Sequence, residues 1–350
     1  MRILIFNWKD LAHPAAGGAE VFTEEVARAL VRRGHDVTLF AAAVAGQPER
    51  ETVDGVEIVR RGSRLGVYRA ARRFWSEQPK GSYDVVVDEI NTRPFLTPRW
   101  IRDTPVVALI HQLAREIWFY ELALPVAVLG RYVLEPWWLR AYRDVPALTV
   151  SPSSAESLSR YHGWRDVTVV PEGSSQHPVP DLPKEHEPTV VFLGRLVAMK
   201  RPQDAIEAFE LLRERFPSAQ LWVIGDGPLL EKLRARAPAG VTFLGRLERK
   251  ELVERLARAH VLVATSVREG WGLNVSEAAA CGTPSIAYAV PGLVDSVQAS
   301  GGAQVDPNPQ ALGRALVDLF LERLQLEPRI STVAWTEVAG EVERRLSNAV

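Results

Sequence analysis

Short apolar runs alternate with amphipathic helical segments twice along the chain, and a proline-rich stretch separates the two rounds. Strands that alternate with helices build βα units, which need a parallel sheet covered on both faces. In the first round, residues 3–6, 37–42, 85–87, 106–110, 147–150 and 167–170 read as strands. Residues 19–33 read as a helix, with Val21, Phe22, Val26, Ala29 and Leu30 at helical spacing and Gly34 as the stop. Val53-Asp54-Gly55-Val56 predicts a hairpin turn, residues 68–75 a helix, and Ser153 or Ser154 a cap for the helix ending at His162. The second round puts strands at 190–193, 221–224, 241–244 and 261–264, with helices at 202–215, 250–259 and 310–325. A further helix is expected up to Arg236, and a final one over 335–346. Residues 171–188, with Pro171, Pro178, Pro180, Pro183 and Pro188, read as the linker. The pattern predicts two Rossmann-like α/β domains, 1–170 and 189–330, followed by a terminal segment 331–350.

Three hundred and fifty residues suffice for two such domains, and 47% hydrophobic residues suffice for a core in each. A net charge of -1 argues against a nucleic-acid binder. The single cysteine, Cys281, rules out a disulfide framework and reads as a small packed residue. No leader pattern and no apolar run of membrane-spanning length are visible, so a cytoplasmic protein is expected. Residues 113–143 concentrate aromatics, among them Trp118, Phe119, Tyr120, Trp137, Trp138 and Tyr142, interrupted by charges. They read as two helices packed on the sheet, with a peripheral membrane or lipid-acceptor face as the second reading.

The chemistry concentrates in residues 264–288. A strand runs into a loop with Glu269, Gly270 and Gly272; a helix starts near Asn274 and ends at Gly282; Pro284 and a new strand follow. Glu277 falls one turn into that helix, so the two acids lie either side of a helix N-terminus, where free N–H groups favour an anion. The arrangement suits a diphosphate flanked by hydroxyl-bearing rings, a nucleotide sugar. The plainer reading is a solvated loop acid and a surface helix acid. Gly194-Arg195-Leu196 with Lys200 places two cations at a strand end, either for a departing diphosphate or as solvated loop bases. Gly17 and Gly18 precede a helix, where the backbone can approach a phosphate or an acceptor, or simply form a βα loop. The dinucleotide spacing is absent after the first strand and the strand at 37–42 ends in alanines without an acid to hold a ribose, which disfavours a dehydrogenase; no Walker A sequence occurs either. His111 ends a strand as a hydroxyl donor or a structural histidine. Asp88-Glu89 ends another, as acceptor-binding carboxylates or two thirds of a metal site whose third ligand is not evident. His177 and His186 lack metal-ligand spacing and read as solvated.

Together these residues resemble glycosyltransferase family 4, the retaining enzymes of GT-B fold, over nearly the whole chain. The resemblance rests on Gly17-Gly18-Ala19-Glu20, His111, Val169-Val170-Pro171-Glu172-Gly173, Gly194-Arg195-Leu196 with Lys200, Gly225-Asp226-Gly227-Pro228, and the Glu269 to Glu277 spacing. The helix at Trp335 resembles the family segment that crosses back onto the N-terminal domain. The resemblance implies two Rossmann-like domains facing across a cleft, acceptor on the first and donor on the second. It implies that Arg195 and Lys200 bind the donor diphosphate, Glu277 the ribose, and Glu269 with Gly270, Trp271, Gly272 and Leu273 the sugar. His111 would reach that sugar from the facing domain, and the backbone around Arg246 and Leu247 would meet the base. Gly18, Gly194, Gly225, Asp226 and Gly227 complete the expected donor set, and Gly17, Glu89 and Asn91 the acceptor set. Asn274 and Trp271 depart from the family's pattern near the sugar. The expected reaction moves a hexose from a UDP- or GDP-linked donor to an acceptor hydroxyl, lipid-linked or free, without cofactor or metal. A sugar-nucleotide epimerase or hydrolase, and a non-catalytic nucleotide-sugar binder, are the other readings.

Overall fold

The computed structural model describes residues 1–173, 182–331 and 333–350. They form two compact units. Part of the expected linker, with His177, lies outside the described residues.

The first unit holds residues 1–115, 128–173 and 333–350. Its sheet comprises β1 (Arg2–Phe6), β2 (Asp36–Ala41), β3 (Arg50–Val53), β4 (Val56–Arg60), β5 (Val85–Glu89), β6 (Val106–Leu109), β7 (Ala147–Thr149) and β8 (Val167–Val169). The order is β3-β4-β2-β1-β5-β6-β7-β8, and all neighbours are parallel except β3 and β4. The β3–β4 turn is the predicted one: Asp54 and Gly55 both take positive φ, 52° and 84°, as a two-residue hairpin matched to strand twist requires. Alternate residues of β1 go to opposite faces. Leu4 and Phe6 join Phe40, Val86 and the buried side of the helix Val67–Glu77. Ile3 and Ile5 meet Phe22, Val26 and Leu30 of the helix Gly18–Arg32, with Val342 and Leu346 of the terminal helix Trp335–Ser347. That terminal helix is further fixed by Arg33 and His35 on Glu343, at 2.5 and 2.9 Å. Continuous apolar strands buried on both faces are what a parallel sheet demands.

The second unit holds residues 116–127 and 182–331. Its strands are β9 (Thr189–Leu193), β10 (Gln220–Ile224), β11 (Val241–Gly245), β12 (Val261–Ala264), β13 (Ser285–Tyr288) and β14 (Ala303–Val305), in the order β11-β10-β9-β12-β13-β14, all parallel. Val190, Phe192, Val223, Val263 and Ile286 pack under the helices Pro202–Arg215 and Pro309–Phe320. Their neighbours Val191, Trp222, Ile224, Leu262 and Ala287 face the opposite way, under Arg249–Arg258, Leu273–Ala280 and Leu293–Ser300.

Several expectations need correction. Residues 116–127, read as part of the N-terminal domain, group with the second unit. Glu116 pairs with Arg268 at 3.2 Å, and Glu121 accepts from the Met199 amide at 3.0 Å. The cap of the helix Pro152–His162 is Ser151, which accepts from the Ser154 amide at 3.2 Å and leaves Pro152 at the first helical position. The helix after Gly227 shrinks to Leu230–Arg234, and the helix Leu293–Ser300 and strand β14 were not anticipated. Residues 113–143 hold two helical stretches, as expected: Ile117–Glu121, and an unbroken run over 124–142 that passes from α through π at Gly130–Leu134 to a last 3₁₀ turn. They are less covered than expected, since ten of the seventeen exposed large hydrophobics among the described residues fall between Phe119 and Trp137. None of the described helices is long and apolar enough to cross a membrane.

Candidate functional site

Ligands on open α/β sheets gather at the carboxyl ends of the strands where the order reverses. In the second unit the reversal lies between β9, which leads outward to β10, and β12, which leads to β13. The loops after β9 and β12 carry Gly194-Arg195 to Lys200 and Thr265 to Leu273. Lys200 Nζ is ion-paired to Glu269, which also accepts from Ser266 Oγ at 2.6 Å. Thr265 Oγ1 donates to the carbonyls of Lys200 and Arg201 at 2.8 and 2.9 Å, which ties the two loops together. Arg195 is exposed and has no ion pair among the described residues.

Glycine is required here by close approach. A Cβ on Gly225 would lie 2.0 Å from the Gly194 carbonyl oxygen, and one on Gly227 2.5 Å from that of Leu196. The backbone knits the same loops, Leu196 N–H donating to Asp226 O at 2.9 Å, and Asp226 Oδ1 accepts from Gly227 N–H at 2.7 Å. Gly272 caps the helix Leu273–Ala280 at φ 104°, a conformation other residues rarely adopt. Beyond Gly270 and Gly272, Trp271 Nε1 donates to Ser276 Oγ at 2.8 Å, and Asn274 Nδ2 donates to the Leu193 carbonyl at 2.9 Å, so both departures from the family's pattern have structural partners. Glu277 does not stand open: Arg249 Nη1 meets it at 2.8 Å. Arg246 is exposed just past β11, and Leu247 is half-buried beside the core.

In the first unit the order reverses between β1 and β5. Gly17 N–H donates to Glu20 Oε2 at 2.6 Å, and Glu20 Oε1 pairs with Lys9 at 3.1 Å, which fixes the loop that Gly18 enters. Thr23 Oγ1 donates to Glu89 Oε2 at 2.6 Å, and Glu89 Oε1 lies 3.5 Å from His111 Nε2. Asn91 Nδ2 donates to Asn7 Oδ1 at 2.9 Å. Asp88 is no ligand candidate. It is fully buried and accepts from the Phe95 and Thr97 amides, Thr97 Oγ1 and Tyr142 Oη. Burial pushes the Glu89 carboxyl above its ordinary range, against the pull of His111. Burial alone would lower the His111 imidazole, yet Glu89, with Glu172 and Glu20, holds it above its usual value. His186 is exposed.

The first unit thus assembles Gly17, Gly18, Glu89, Asn91 and His111 at one sheet edge, and the second assembles the donor candidates around Lys200 and Glu269. Sequence reasoning missed Arg268, a buried cation beside Glu269, the Glu277–Arg249 pair, and the burial of Glu172. Only adjacency to Glu269 and membership of the motif at residues 169–173 marked Arg268 and Glu172.

A model of the family described as Glycosyltransferase Family 4 matches residues 16–174, and one described as Glycosyl transferases group 1 matches residues 176–332. The chain is similar to a glycogen synthase of Mycobacterium tuberculosis, 25% identical over 342 residues, covering 85% of this chain and 80% of that one. It is 28% identical over 296 residues to a phosphatidyl-myo-inositol mannosyltransferase of Propionibacterium freudenreichii subsp. shermanii, covering 76% and 72%. Its fold is similar to that of sucrose-phosphate synthase from Thermosynechococcus elongatus, with a TM-score of 0.72 over 99% of this chain and 94% of that one, at 19% identity. Two family models in tandem on two parallel-sheet units mean that the chain belongs to glycosyltransferase family 4, and it is a glycosyltransferase of GT-B fold.

Proposed function

We propose that this transferase is a retaining hexosyltransferase that takes its sugar from a UDP- or GDP-linked donor and needs no metal. The single observation that carries the reading is the Lys200–Glu269–Ser266 cluster beside the glycine-capped helix Leu273–Ala280. Lys200 and Arg195 supply the counter-charge for the departing diphosphate, at the place where a metal serves other transferases. Glu269 and the amides of residues 270–273 hold the sugar, Glu277 the ribose hydroxyls, and the backbone at Arg246 and Leu247 the base. The loops of residues 194 and 225–227 let the donor lie against the backbone. Gly17, Glu89 and Asn91 hold the acceptor, and His111 donates to a sugar hydroxyl. The bond from the anomeric carbon to the diphosphate breaks as the acceptor oxygen attacks the same face, and the acceptor proton passes to the leaving diphosphate. That sequence preserves configuration and asks for no protein nucleophile.

The acceptor is a hydroxyl of a glycolipid, a polysaccharide precursor or a small metabolite. The exposed Val128, Leu129, Tyr132, Val133 and Trp137, with the Arg99 guanidinium 4.4 Å over the Trp137 ring, support a lipid-linked acceptor met by peripheral contact. Nucleotide release and product mass, measured for UDP- and GDP-sugars against acceptor panels with and without EDTA, test the reading. An α-linked product from an α-linked donor, unchanged by EDTA, is expected. Inversion of configuration or abolition by EDTA overturns the mechanism. Turnover of donor without any acceptor points instead to an epimerase or hydrolase, and tight donor binding without turnover to a binding protein.

A further inference from the structure

The first unit buries an ionisable group that the transfer scheme leaves unused. Glu172 follows β8, two positions after the buried Val170, and is itself buried. Among the described residues its Oε2 has no hydrogen-bond partner, and Glu89 Oε1 and His111 Nε2 have only each other, at a loose 3.5 Å. A buried carboxylate without a partner costs several kcal/mol, so a fold keeps one where a ligand completes it. An open acceptor on Glu172 and a loosely joined acceptor and N–H donor on Glu89 and His111 are the complement of ring hydroxyls, each of which gives one hydrogen bond and takes others.

The terminal segment dries this cluster. Gly173 lies against Trp335 so closely that a Cβ would come within 2.4 Å of the indole. Trp335 packs edge-on against Phe22, and Phe22 edge-on against His111, with ring centroids 5.8 and 5.1 Å apart. The charged groups that bear on His111 are Glu89 from β5, Glu172 after β8, and Glu20 from the helix Gly18–Arg32, the last paired to Lys9. Among the described residues, the charge that bears on Glu172 is that of His111.

We propose that Glu172 is a positioning residue of the transfer reaction: its Oε2, together with Glu89 Oε1 and His111 Nε2, grips hydroxyls of an uncharged sugar or cyclitol ring. The proposal rests on the transferase reading and adds to it both a residue and a substrate class. A ring carrying phosphate or carboxylate at this place would meet two carboxylates and only one imidazole, whereas hydroxyls donate to both acids. Burial pushes the Glu172 carboxyl up to about 7, with His111 pulling the other way. The grip on hydroxyls is strongest when that carboxyl is ionised, so it tightens as pH rises through neutrality. The ring is that of the donor sugar or that of the acceptor, and the kinetics separate the two.

The test uses the full chain and its Glu172→Gln variant. Nucleotide release is followed from UDP-glucose and GDP-mannose, with maltose and myo-inositol as uncharged acceptors, from pH 5.5 to pH 8. The amide resembles the protonated acid, so kcat/KM of the variant should match the wild type within about twofold at pH 5.5 and fall about tenfold or more below it at pH 8. A raised KM for the nucleotide sugar assigns the ring to the donor, and a raised KM for maltose or myo-inositol assigns it to the acceptor. Melting curves check that the variant folds. Glu89→Gln combined with Glu172→Gln should lose less than the product of the single losses, because both act on one ring. Parallel pH profiles, or a variant that loses thermal stability with both KM values and the pH profile unchanged, overturn the proposal. Wild-type protein that turns over neither donor removes the transferase reading, and the proposal falls with it.

Discussion

Lys200 and Glu269 form an ion pair in the second unit, with Ser266 donating to the same carboxylate. The cation expected at the diphosphate is thus held by the acid expected at the sugar. On the proposed reading a bound donor would take Lys200 with its phosphates and leave Glu269 to the sugar hydroxyls, so the pair keeps both groups at one place. Lys200→Ala should lower kcat by about two to three orders of magnitude, the usual loss when one donor to a developing oxyanion is removed. Steady-state kinetics checks it, and near-normal turnover would remove Lys200 from the mechanism. Arg195→Ala should act in the same direction.

Glu277 has a different neighbour, Arg249, in a pair whose side chains are 35% and 47% exposed. Such pairs contribute under about 1 kcal/mol to stability. Glu277→Ala should therefore leave the melting temperature nearly unchanged while raising the donor KM about tenfold, with kcat little altered. Arg249→Ala is the control: if Arg249 only screens the acid, its removal should not weaken donor binding. Glu277→Ala that damages kcat as much as Glu269→Ala would refute separate roles for the two acids.

Gly292 sets the position of Glu269 from behind. Its φ is +83°, and a Cβ there would lie 2.2 Å from the Glu269 carbonyl oxygen. The Glu269 amide in turn donates to the Pro291 carbonyl at 3.0 Å. Gly292→Ala must shift that backbone, with a stability loss of about 1–3 kcal/mol and a loss of turnover beyond what the fraction unfolded explains. Melting curves beside kcat measure both, and a stable, fully active variant would show that Glu269 needs no such fixing.

Much of the architecture could be read because parallel strands buried on both faces leave continuous apolar runs, as at residues 3–6 and 261–264, and because Asp54-Gly55 admits few turns. The Glu269 loop was readable from its glycines. The partners of those residues were not. Arg249 is 28 positions from Glu277, and Lys200 is 69 from Glu269; only the strand order brings them together. Ser151 outcompeted Ser153 and Ser154 as a cap because Pro152 fixes where the helix begins. Within residues 124–142 the π segment Gly130–Leu134 shifts the side-chain phase of one continuous helical run, so no single stripe of 3.6-residue period persists along it. Glu172 was marked only by its place in the motif at residues 169–173; its burial left no signal, since burial of an acid is a property of its surroundings.

The apolar residues that this helical run exposes make a prediction of their own. Tyr132 and Trp137 are 64% and 51% exposed, each with an arginine over its ring, at 5.2 Å for Arg131 and 4.4 Å for Arg99. Aromatic and basic side chains together suit an anionic lipid surface. The protein should sediment with vesicles of mixed phosphatidylglycerol and phosphatidylcholine, and Tyr132→Ser with Trp137→Ser should weaken that association roughly tenfold or more. Equal recovery of wild type and double variant would exclude these residues from any membrane contact.

Stability should also respond to pH through Glu172. Its carboxyl titrates at about 7 in the folded chain against 4.5 for the free group, because burial penalises the charge. Below the lower value both states are protonated and the group has no effect. Between the two values the unfolded chain gives up its proton first, so stability falls as pH rises, and above the higher value the loss is complete. The full effect is on the order of 3 kcal/mol. His111, held above its usual value, acts in the same direction, since the stability it adds in its charged form is lost as pH rises through its folded pKa. Glu172→Gln cannot ionise. Its melting temperature should approach the wild type's as pH falls to 4.5 and exceed it by a few degrees at pH 8, while catalysis at pH 8 falls. A gain in stability coupled to a loss of activity at the same pH is what a substrate-gripping charge held without a partner predicts, and a melting profile that Glu172→Gln leaves unchanged would show that the fold carries no such cost.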